Sequence, residues 1–162
     1  MRLVEGELTV EEVDGFLGRI DELREKTGAI VQLFDARYVV DREHLERAVT
    51  LAGRARERGE AIARDPAVEI LLYAAGRRQI DRALTMGVSA GTTPVVAVVV
   101  DGDEPAATRQ LRERLEPAET LGAVDRQAVR EFFDVTDREQ RATAGGLADI
   151  VHERVALLVV GR

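Results

Sequence analysis

Residues 68–88, VEILLYAAGRRQIDRALTMGV, join an almost wholly apolar half to a charged half across Gly76. Ile70, Leu71, Leu72, Tyr73, Ala74 and Ala75 leave no polar face, and a helix that is apolar all round has to be buried. The Ala67–Ala75 helix is therefore predicted to be the central one, with the other elements arranged around it. In the second half Ile80, Ala83, Leu84 and Met86 recur at helical spacing and stop at Gly87. If Gly76 interrupts the helix, Arg77, Arg78 and Gln79 stand at the corner beside the free amides of a new helix start. Such a start suits a phosphate, and guanidinium forks match phosphate oxygens. Arg78 and Arg82 share a face at i,i+4, and Asp81 can offset part of their repulsion through Arg77. A solvated, salt-bridged face accounts for the same arginines without any ligand.

The rest of the chain alternates short strands with capped helices. Residues 2–8 read as a strand. Thr9 and Glu12 have capping-box spacing, and Val13, Phe16, Leu17, Ile20 and Leu23 follow at helical period up to Gly28. Residues 29–34 read as a second strand, and 35–40 as a bend leading into an extended piece. Asp41 is a suitable N-cap for a helix with Leu45, Ala48, Val49 and Ala52 inward, broken at Asp65-Pro66. Pro94–Val100 is a β-branched run of the kind covered on both faces of a sheet. Asp101-Gly102-Asp103 reads as a turn, Ala106–Leu115 as a helix, and Asp125 as the cap of a short helix with Val129, Phe132 and Phe133. Thr136 and Glu139 form a second capping box, opening a helix to about Glu153 that Gly145-Gly146 weakens by about 1 kcal/mol per glycine. Val155–Val160 reads as a last strand. Helices outnumber strands without regular alternation, so a strict doubly wound sheet is disfavoured. The expected fold is α+β, a mixed α/β domain spanning 1–162. Its one mostly antiparallel or mixed sheet, of about four or five strands, is packed with helices.

Charge narrows the function classes. The net charge is −7, and 22 of the 23 basic residues are arginine. An acidic, lysine-poor chain resembles proteins from salt-loving archaea, and a GC-rich genome accounts for the same bias. The overall field repels nucleic acid at low salt. Residues 37–82 nevertheless carry a balance of +2 against −9 elsewhere, so positive charge gathers around the corner. No cysteine is present, which excludes disulfides and fits a cytoplasmic location. Neither a signal-peptide core nor an apolar run of membrane-spanning length is visible.

Catalytic signatures are absent: no Walker loop, GxSxG or GxGxxG occurs, and no cofactor is expected. His44 and His152 lie far apart and neither has a second histidine at ligand spacing, so no metal site is expected. Residues 101–104 are acidic and read as a solvated turn. Asp41 and Glu43 beside His44 could make an acid–base set, but a helix cap and first-turn acids explain them better. His44 itself reads first as a satisfied, partly buried histidine and second as a binding-site one. Tyr38 or Tyr73 could stack on a base, although the apolar setting of Tyr73 favours the core.

EILLYAAGRRQIDRALTMGV, 69–88, resembles the family of the small PRPK-binding subunit of the KEOPS complex, which carries an EILLYLSGxRQIxxAIxxxG-like segment. FDARYVVDREHLERAV, 34–49, resembles that family's second motif, with His44-Leu45 as its histidine–leucine pair and Ala48 as its alanine. The strand PVVAVVV falls where the family has one, and the C-terminal part departs most. The resemblance implies a non-catalytic, archaeal-type subunit of the machinery that makes threonylcarbamoyl-adenosine in tRNA. Such a subunit docks on an atypical kinase and binds the 3′ CCA end of tRNA. Gly76, Arg78, Gln79 and Ile80 fall on the family's glycine–arginine–glutamine–isoleucine corner, and Arg77 on its variable position. Their charge adds Arg54, Arg58 and Arg82 as neighbouring phosphate contacts, and Arg77 and His44 complete the expected tRNA-binding set. Leu147, Ile150 and Val151 are the candidate kinase-binding face, and core packing explains them equally well. A kinase-binding module without RNA contact, or a small enzyme using His44, are the alternatives.

Overall fold

A computed structural model describes residues 1–160. Four strands form one antiparallel sheet in the order β2-β3-β1-β4, with β1 at Arg2–Val10, β2 at Ile30–Asp35, β3 at Gly91–Val100 and β4 at Glu116–Pro117. The first long helix, α1, is Val13–Thr27, and α2 is Arg42–Glu57. Then come α3 at Pro66–Ala75, the one-turn α4 at Ile80–Ala83, α5 at Glu104–Arg112, α6 at Arg126–Phe132, α7 at Asp137–Ala142 and α8 at Gly146–Val160.

The central strand shows why both faces are covered. Side chains of β3 alternate: Val95, Ala97 and Val99 join Phe16, Ile20 and Leu23 of α1 and Ala107 and Leu111 of α5. Val96 and Val98 join α2, α3 and α8 on the other face. Each face is sealed by helices, as the unbroken β-branched run predicts. Gly6 of β1 is required where β4 approaches, because a Cβ there would lie 2.7 Å from the Glu116 carbonyl.

Three expectations are corrected. Thr9 is not a helix cap: the buried alternation of β1 continues through Leu8 and Val10, the ladder runs on to Val10 opposite Gly91, and Thr9 Oγ1 meets Thr92 Oγ1 at 2.9 Å. Residues 36–38 do form the expected bend, a 3₁₀ turn that Asp35 caps through the Arg37 amide, and Val39 after it is extended. The helix expected from Thr136 to Glu153 breaks in two. Thr136 does cap α7 through the Glu139 amide at 3.0 Å, but the chain turns at Gly146, whose φ is 78°. Residues 155–160 continue α8 instead of forming a strand. Leu147, Ile150, Val151, Val155 and Leu158 are buried at helical spacing, and a short apolar run does not distinguish the two states.

Candidate functional site

The corner after α3 is built from the inside out. Asp65 caps α3 through the Ala67 amide at 2.8 Å, Pro66 fills its first turn, and Arg24 of α1 reaches Asp65 at 2.6 Å. Glu69, fully buried, accepts the amides of Ile62 at 3.0 Å and Ala63 at 2.8 Å, which ties the α2–α3 connection to the helix. Tyr73 is fully buried among the same apolar residues, in line with its expected core role.

Gly76 ends α3 in the left-handed region, with φ 61° and ψ 32°. Its amide bonds the Tyr73 carbonyl and the Arg77 amide bonds the Leu72 carbonyl, each at 3.1 Å. Both amides are thereby consumed by the helix end. The following helix, α4, starts only at Ile80, without a side-chain cap, and is a single turn, shorter than the helix start expected for a phosphate. A Cβ on Gly76 would lie 3.1 Å from the Arg154 carbonyl, so the corner is seated directly on α8.

The arginines separate. Arg77 turns inward, donating to the Phe132 carbonyl, approaching Asp134 at 3.5 Å and stacking over the Phe132 ring at 4.9 Å. It therefore meets Asp134 rather than Asp81. Tyr38 packs edge-on against the same Phe132 ring. Arg78, Gln79, Ile80 and Arg82 are all exposed. Arg54 and Arg58 project from the end of α2 into a groove of about 280 Å³ shared with Leu51, Ala55, Tyr73 and Ala156. Among the described residues, Arg54, Arg58, Arg78 and Arg82 enter no ion pair.

Two further expectations are corrected. His44 is completely buried: Nε2–H donates to the Ala74 carbonyl at 2.7 Å, and Nδ1 accepts the Val40 amide at 3.3 Å. Burial pushes its pKa down to about 4. It holds the last turn of α3 from beneath and presents no atom to RNA. Leu147, Ile150 and Val151 are also buried, at 2%, 1% and 0% exposure, and pack into the core rather than forming a kinase-binding face.

Comparison with known families bears on all of this. A profile of the kinase binding protein CGI-121 family matches residues 18–158. The chain belongs to that family. Its members are kinase-binding accessory proteins, the same grouping that the 34–49 and 69–88 motifs resemble. The matched segment includes both motifs and α8 as far as Leu158. No curated protein matches the chain. Among the described residues, no helix is long and apolar enough to cross a membrane.

Several structurally important residues were not visible in sequence. Glu69 stands in the family motif, but nothing local shows that its carboxylate will meet amides six and seven residues upstream. His152 has no second histidine at ligand spacing in the sequence, yet it is 6% exposed and lies against Asp41 and Glu43. The imidazole that meets these two carboxylates is thus His152, while His44 faces the core.

Proposed function

We propose that this chain is a non-catalytic, archaeal-type KEOPS subunit that docks on the atypical kinase subunit and contacts the 3′ CCA end of tRNA. Family membership supports the kinase partner. The exposed turn Arg78-Gln79-Ile80, with Arg82 beside it and Gly76 fixing its seat on α8, carries the RNA part of the reading. Its two guanidiniums are unpaired among the described residues, and the Gln79 amide can hydrogen-bond a base or a sugar. Arg54 and Arg58 supply further phosphate contacts from the α2–α8 groove. Transfer of the threonylcarbamoyl group belongs to another subunit.

The net charge of −7 makes the long-range field unfavourable. Binding then rests on short-range arginine forks and stacking rather than on steering, and weakens with salt according to the few phosphates engaged. Arg78→Glu tests the assignment. Expected is at least a tenfold loss of tRNA affinity with co-purification of the kinase retained; unchanged affinity would remove the corner from the RNA site.

One observation favours a second reading. Ile80 and Leu84, one helical turn apart, are 48% and 56% exposed beside the arginines. An apolar pair of this kind suits a protein surface. In that reading the corner docks the kinase alone, and Arg78→Glu leaves tRNA binding unaltered.

A further inference from the structure

His152 is 94% buried by residue surface, being 6% exposed, and both of its ring nitrogens face carboxylates. Nε2 lies 2.9 Å from Asp41 Oδ1, and Nδ1 lies 3.2 Å from Glu43 Oε2 and 4.0 Å from Asp149 Oδ1. Asp41, already fixed by accepting the His44 amide at 2.8 Å, is placed to accept a hydrogen bond from Nε2–H. Nδ1 faces the Glu43 and Asp149 oxygens, so one nitrogen of a buried ring and two carboxylates stand opposite one another. Ligand atoms from Asp41, Glu43 and His152 all lie within 4.8 Å of one another.

We propose that Nδ1 of His152, Glu43 Oε2 and the nearby Asp149 carboxylate bind a first-row divalent metal ion, with Asp41 orienting the ring from the second nitrogen. An imidazole whose other N–H is held by a carboxylate is the usual arrangement around a metal-ligating histidine. Mixed nitrogen and carboxylate donors suit Zn²⁺, Mn²⁺ or Fe²⁺ rather than a soft ion. The other oxygen of Glu43 holds Arg47 at 3.1 Å, which fixes the carboxylate's orientation. Glu43 and Arg47 also line an open groove of about 410 Å³. The ion would link the first turn of α2 to α8. It is independent of the tRNA and kinase reading.

The test uses the full chain at neutral pH with Zn²⁺ as the probe. Calorimetry should show one ion bound per chain and a raised melting temperature. Asp41→Asn should weaken binding by about 10–100-fold, and Glu43→Gln should abolish it. Nuclear magnetic resonance of the imidazole nitrogens gives a readout that needs no variant: Zn²⁺ should shift the His152 Nδ1 signal and leave His44 unmoved. Absence of a Zn²⁺-dependent shift at His152, a His152 ring keeping protons on both nitrogens in excess Zn²⁺, or undiminished binding by a folded Glu43→Gln variant would overturn the site.

Discussion

His44 shows how a single side chain supports the corner while staying out of reach of any ligand. Desolvation is the largest influence on it and favours the neutral ring; the bond to Ala74 and the charge of Asp41 pull the other way and lose. The pKa in the folded chain, about 4, lies below that of an unfolded histidine, 6.5. The unfolded chain therefore takes up the proton first. Stability from this residue is complete above the unfolded value, declines as pH falls from 6.5 towards 4, and levels off below. Its full size is about 3 kcal/mol. Urea denaturation of the native protein and of His44→Asn across that window should show a steeper acid loss in the native protein. Parallel curves would contradict a buried neutral imidazole. The His44-Leu45 pair was visible in sequence, but its partner carbonyl lies thirty residues downstream, at a distance no periodicity reports. Glu69 was opaque for the same reason: its role exists only once the connection at 58–65 folds back on α3.

Among elements, α3 and β3 were legible because their composition leaves them a single environment: one has no polar face, and the other is mostly β-branched. α8 was not, since its final apolar turns read equally well as a strand until Leu147, Ile150 and Val151 are seen to continue the same stripe. The two-residue β4 has too little sequence to carry any pattern. The seat of α3 on α8 gives a prediction. Gly76→Ala imposes a left-handed alanine, costing about 1–2 kcal/mol, and puts a methyl 3.1 Å from the Arg154 carbonyl. Gly53→Ala, on α2 with nothing within 4 Å of the added Cβ, should instead stabilise by about 0.5–1 kcal/mol. Equal effects of the two substitutions on the urea midpoint would argue against a tight corner.

At the scale of the whole molecule, one antiparallel sheet separates two helical layers, and α2, α3 and α8 build the layer that carries the unpaired arginines. Within this acidic chain Arg54 and Arg58 are exposed at the end of α2, and Arg78 and Arg82 around α4. What the sequence did not show was which arginine the fold would use up: Arg77 is committed to Phe132 and Asp134, leaving Arg78 and Arg82 on the surface. The most direct test is tRNA binding by the protein in complex with its kinase, comparing intact tRNA with tRNA lacking the CCA end. The account predicts a large loss of affinity on trimming while the kinase remains bound. Equal affinity for the two tRNAs would contradict it.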